Sequence, residues 1–113
     1  MDAEKVARND ATFRRANERI EDSARANALE PVPFLCECAD IHCTEVVRLT
    51  IAEYEHVRES GRHFLNVAGH QSAAGPHGRV VEDHGGWVVV EKVGVAGQLA
   101  ERLDPREEHR LAG

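Results

Sequence analysis

Bulky apolar residues and cysteines are both scarce in this 113-residue chain. Aromatic side chains make up only 4% of it: Phe13, Phe34, Tyr54, Phe64 and Trp87. The other apolar positions lean on Val and Ala, which bury less area each than Leu or Phe. A single core made from them is thin, and a small domain in that position gains from a staple such as a bound metal. No apolar run approaches the ~18 residues of a membrane span, and no charged-then-apolar leader is visible, so a soluble, cytoplasmic protein without a membrane partner is expected. Nor is there a surplus of positive charge, since 20 acidic residues face 14 basic ones for a formal net charge of −6. Nucleic-acid binding draws most of its energy from Lys and Arg on phosphates, so nucleic acid is an unlikely partner. Arg8, Arg14, Arg15, Arg19 and Arg25 instead read as a solvated helix face. Three cysteines are too few, and odd in number, for a disulfide framework, which favours reduced thiols that ligate or react.

What the chain does contain is clear punctuation. One domain fits the length, divided into an N-terminal helix over 1–30, an α+β core over 31–104 and a flexible tail over 105–113. Residues 3–29 hold no Pro or Gly and are dense in Ala, Arg and Glu, which predicts a long helix. Its larger apolar residues, Val6, Phe13 and Ile20, fall on one narrow stripe beside Ala16 and Ala24. That stripe suits a helix lying across its own domain or a two-helix seam with a second copy, with Asp10 and Asn17 between. A helix so loosely demanded by the core should be removable, leaving residues 30–113 folded.

Two prolines in EPVPF end the helix and start extended chain. Strands are expected over 34–38 and 45–49, forming a hairpin with the cysteines at its tip. Thr50-Ile-Ala-Glu53 is a capping box that opens a short middle helix to about residue 59. Further strands are expected at 63–67, 79–83 and 87–93, the last two joined by His84-Gly85-Gly86. The apolar run at 87–90 predicts a strand covered on both faces. Residues 68–78 read as a loop, and 96–103 as a short C-terminal helix. The fold class is therefore α+β with a small antiparallel sheet. His42, His56, His63, His70, His77 and His84 recur at multiples of seven, but Gly61, Gly69, Gly75 and Pro76 interrupt any helix that could align them.

All three cysteines lie in FLCECADIHC, residues 34–43. Alternation along extended chain puts Cys36 and Cys38 on one side and Glu37 on the other, and four further residues let Cys43 return from the opposite arm. Three thiols aimed at one point predict a soft cation, and Zn²⁺ is the default in a reducing compartment. A tetrahedron needs one more donor. His70 fits best, because Gly69 allows close approach at the exit of the 63–67 strand; His63, His42 and water are the alternatives.

The chain also resembles a set of small bacterial proteins with no assigned activity. The likeness runs through Ala7-Arg-Asn to Asn-Glu-Arg-Ile20, Leu35-Cys-Glu-Cys38 to Cys43, Leu49-Thr to Val-Arg58, Gly69-His70 and Asp104-Pro-Arg106, nearly the whole chain. That resemblance favours His70 as the fourth ligand to Cys36, Cys38 and Cys43. The longer SAAGPHG loop after His70 departs from it and leaves access to the metal open.

The expected function is a non-catalytic zinc protein acting as an interaction or regulatory module. Contact is expected with a protein partner or a second copy, through the N-terminal helix or a sheet edge. A zinc hydrolase with an open coordination position and a thiol-based redox or metal sensor are the alternatives. For the hydrolase, Glu37, Glu45, His42 or His77 would serve as acid or base, yet no H-E-x-x-H or P-C-x-x-C template is present.

Overall fold

The structure is a computed structural model and describes residues 1–107. Helix α1 spans Ala3–Asn27, opened by the Asp2 carboxylate accepting from Lys5 N–H at 2.8 Å. It closes at Ala28, in the left-handed region at φ 52°, whose N–H reaches back to the Ala24 and Arg25 carbonyls. Strands β1 (Val32–Leu35) and β2 (Val46–Leu49) form an antiparallel hairpin in the register Leu35 opposite Val46. The Thr50–Glu53 capping box is present in both directions, at 3.1 and 2.8 Å, and starts α2 (Ile51–Val57). Strands β3 (His63–Val67), β4 (Gly78–Asp83) and β5 (Trp87–Lys92) make a second antiparallel sheet in the order β3-β5-β4, with a bulge at Val81. Helix α3 (Gly94–Arg102) follows. The architecture is α+β, with two small sheets where the sequence suggested one. Residues 70–77, expected as a plain loop, wind as 3₁₀ turns broken at Gly75.

Strand β5 is central, and Val88, Val89 and Val90 are all buried, as a strand covered on both faces requires. On one face Leu65 and Val89 join Phe34, Leu49, Tyr54 and Val57, with the Phe34 and Tyr54 rings stacked at 4.1 Å. The other face turns Phe64 and Lys92 toward α1, where Arg14 lies over the Phe64 ring at 4.4 Å. Lys92 Nζ meets the Asp10 carboxylate at 3.1 Å, and both side chains are wholly buried.

Helix α1 therefore lies across its own domain, but through a polar stripe. Of its expected apolar stripe, Val6 is buried, while Phe13 and Ile20 are only partly so. Asp10, Arg14, Asn17 and Glu21 are buried beside Val6, Ala7, Ala11 and Ala24. Arg14 is thus not on a solvated face: it is fully enclosed and donates to the Gly61 and Ala100 carbonyls, each at 2.7 Å. The reason is geometric, because Ala100 lies in the last turn of α3 and Gly61 in the turn between α2 and β3, where backbone carbonyls need partners from outside helix or ladder. At the other end of α1, Glu18 accepts from Arg58 and Arg106, and Arg58 also binds Asp104 at 2.5 Å. Of the tail expected from residue 105, Arg106 is held by Glu18, Glu21 and Glu55, and residues 108–113 lie outside the described residues. No helix among the described residues is long and apolar enough to cross a membrane.

Candidate metal centre

The β1–β2 ladder ends at Leu35, so Cys36 and Cys38 stand just past it rather than inside a 34–38 strand. One further bond, Cys36 N–H to the Glu45 carbonyl at 3.0 Å, keeps the two arms together. Asp40 then turns the chain: its carboxylate accepts from His42 N–H and its carbonyl from Cys43 N–H, both at 2.9 Å. This brings Cys43 back over the first two cysteines. Strand β3 runs alongside, and Glu37 N–H donates to the Leu65 carbonyl at 2.6 Å. At its exit Gly69 takes φ +95°, a conformation that L side chains rarely adopt, and this kink presents His70 to the thiols.

The four expected residues converge. Cys36, Cys38 and Cys43 Sγ and a ring nitrogen of His70 all lie within 4.8 Å of one another, and no other group among the described residues does so in this way. His70 Nδ1 is 3.6 Å from Cys36 Sγ and 3.5 Å from Cys43 Sγ. Those separations are informative, because Zn–S bonds of about 2.3 Å and Zn–N bonds of about 2.0–2.1 Å set S–N edges of about 3.5 Å in a tetrahedron. The cluster is close enough to hold a metal ion. The alternatives for the fourth position are elsewhere: His63 faces Glu91 at 3.3 Å on the sheet, and His42 is exposed on the turn.

Burial is uneven across the four. Cys36 and Cys38 are each only 1% exposed, whereas Cys43 and His70 are half-buried. An open cleft of about 190 Å³ borders the cluster, lined by Cys38, Asp40, Gly69, His70, Ser72 and Ala73. All three thiols are free. Cys36 donates to the Cys38 sulfur and is buried, and both effects raise its pKa. Accepting that bond lowers Cys38 to about 5. Cys43 is raised, chiefly by desolvation. The cluster thus parts readily with a first proton, and further thiolates at this spacing call for a cation.

What holds the cysteines in place is Glu37, the residue that alternation sets on the side opposite their sulfurs. Glu37 does point away from the sulfurs, but into the interior, where it is completely buried. One carboxylate oxygen accepts from Tyr54 OH at 2.6 Å and Asn17 Nδ2 at 2.9 Å, and the other from Leu65 N–H at 2.9 Å. Asn17 also bonds both backbone groups of Leu35, each at 2.8 Å, so α1 pairs with β1 as a neighbouring strand would. Cys36 Sγ in turn accepts from Val67 N–H at 3.2 Å. Alternation with Cys36 and Cys38 fixes the side on which Glu37 lies but carries no sign that this side is interior.

Comparison of the chain with protein-family models, with curated proteins and with solved structures returns no match. The functional reading therefore rests on the site itself.

Proposed function

We propose that Cys36, Cys38, Cys43 and His70 hold one Zn²⁺ in a closed site, and that the ion serves as a structural clamp in a non-catalytic interaction protein. The observation that carries this reading is the donor set: three thiols and one imidazole nitrogen within 4.8 Å of one another, with the two S–N distances of 3.6 and 3.5 Å matching the edge of a zinc tetrahedron. Such a site leaves no corner for the water that zinc hydrolases activate. Among the candidate bases, Glu37 supports the same reading, since both its oxygens are already engaged by buried donors.

The clamp would tie elements far apart in sequence, joining the hairpin tip to the segment after β3. Zinc in small modules contributes about 10–16 kcal/mol, against a net domain stability of about 5–15 kcal/mol. With the ion structural, function falls to the surface. A protein partner or a second copy would meet the outward face of α1, or the free edge of β4, where Val80 and Val81 are exposed.

Metal analysis with zinc K-edge absorption of the purified protein tests the site. The expected result is one zinc per chain with three sulfur and one nitrogen neighbours. A shell containing an oxygen and fewer sulfurs would overturn the closed site and favour the hydrolase reading.

A further inference from the structure

Resting on the zinc reading above, we infer that Cys43 is the oxidation site of the cluster, and that its attack on a hydroperoxide expels the metal through a Cys38–Cys43 disulfide. The inference comes from the unequal exposure of the four donors. Cys36 and Cys38 are each 1% exposed, and Cys36 is further fixed under β3 by the Val67 N–H at 3.2 Å. Cys43 is the one half-buried thiol, carried on a turn whose flanking residues, His42 and Thr44, are exposed. Closure of the coordination sphere does not require equal enclosure of its sulfurs, and here the enclosure is unequal. The site has a fixed wall of two sulfurs and an accessible wall of Cys43 and His70.

The cleft of about 190 Å³ explains why Cys38 is the partner. Cys38, not Cys36, lines it beside Asp40, His70 and Ser72. A leaving cation can occupy that space, while a small peroxide meets Cys43 from the side of the exposed His42 and Thr44; Cys36 is turned toward the β3 backbone. The Sγ atoms of the cluster lie within 4.8 Å of one another, and a disulfide needs them at about 2.05 Å. Residues 40–42 are exposed and the turn lies outside the β1–β2 ladder, so Cys43 can approach Cys38 without breaking that ladder.

The chemistry balances with one peroxide. The Cys43 thiolate attacks a peroxide oxygen, the O–O bond breaks, and hydroxide leaves, giving a sulfenic acid. The Cys38 thiolate then attacks that sulfur, the S–S bond forms, the S–O bond breaks, and a second hydroxide leaves. Two thiolates are oxidised by two electrons in total, and with two solvent protons the peroxide becomes two waters. Cys36 and His70 remain, and two donors do not retain zinc as four do. A thiol reductant reverses the reaction and restores the site.

The test uses the full-length, zinc-loaded protein, hydrogen peroxide and a chromogenic zinc indicator. Zinc should appear in step with peroxide consumed, one ion per peroxide, and peptide mass mapping should find Cys38 joined to Cys43. Reductant plus added zinc should then restore the starting metal content. Limiting maleimide on the loaded protein gives a second reading that needs no variant: Cys43 should be alkylated about tenfold faster than Cys36. Retention of zinc after peroxide, a Cys36-containing disulfide, or equal labelling of all three thiols would overturn the inference while leaving the zinc site standing. Protein that binds no zinc at the start would remove the zinc reading itself.

Discussion

Glu37 shows how much of the site depends on a residue that binds no metal. Its carboxylate is the common acceptor for Tyr54 of α2, Asn17 of α1 and the β3 backbone, so one side chain ties three elements behind the two buried cysteines. A glutamine there sets an amide N–H₂ against existing donors. Glu37→Gln should lower stability by about 2–4 kcal/mol, the cost of buried polar groups left unpaired, while one zinc per chain is still bound. Urea unfolding of the zinc-loaded protein with parallel metal analysis checks this, and an unchanged midpoint would show that the network carries no net energy. His70→Ala is the complementary change: it leaves that network intact and should lose stoichiometric zinc. The three thiols could be picked out in the sequence because they are closely spaced, whereas His70, 27 residues beyond Cys43, is favoured over His63 and His42 by the preceding Gly69 and by the resemblance. The role of Glu37 could not, since a charge is assigned to solvent until its three partners are located in space.

Among the elements, α1 departs most from its sequence reading. Its length and its polar outer face are legible from Ala, Arg and Glu, and the Thr50 capping box is legible down to the individual hydrogen bonds. The face it buries is not, because Asp10, Arg14 and Asn17 pack inward only where Lys92, Gly61, Ala100 and Leu35 meet them. The removable helix expected from composition is therefore replaced by one whose loss strands those partners. A chain lacking residues 1–29 should fail to give a cooperative unfolding transition even with zinc present, and a sharp transition would contradict this. The short α2 gives a smaller effect: Thr50→Ala should cost about 1 kcal/mol, as loss of an N-cap does, without changing zinc content.

At the same scale, Arg58 joins α2 to Glu18 of α1 and to Asp104 beyond α3. Burial pushes the Asp104 carboxyl up, but the Arg58 bond outweighs it and leaves the pKa below the usual carboxylate value. A group lowered in the folded state stabilises fully above its unfolded pKa of about 3.9, and that contribution is lost as pH falls through the folded value. Asp104→Asn should thus cost about 3 kcal/mol at pH 7, because it leaves the Arg58 charge buried without its partner. The difference between variant and parent should shrink below about pH 4 in paired denaturation curves.

Taken as a whole molecule, the protein has two small sheets, a core of Val and Ala with few aromatics, and several buried charges, among them Asp10, whose carboxyl pKa is pushed up to about 7 by burial in spite of Lys92. None of these supplies a large margin, and the site at Cys36, Cys38, Cys43 and His70 is where sequence-distant segments could gain one. If zinc is that clamp, removing it and unfolding the domain are a single event. The most direct measurement is to titrate the zinc-loaded protein with a strong chelator under reducing conditions, following released metal and far-ultraviolet circular dichroism in the same cuvette. The account predicts that the two signals change together, and that resupplied zinc restores both. Complete removal of one zinc per chain with the spectrum and the unfolding midpoint unchanged would contradict it.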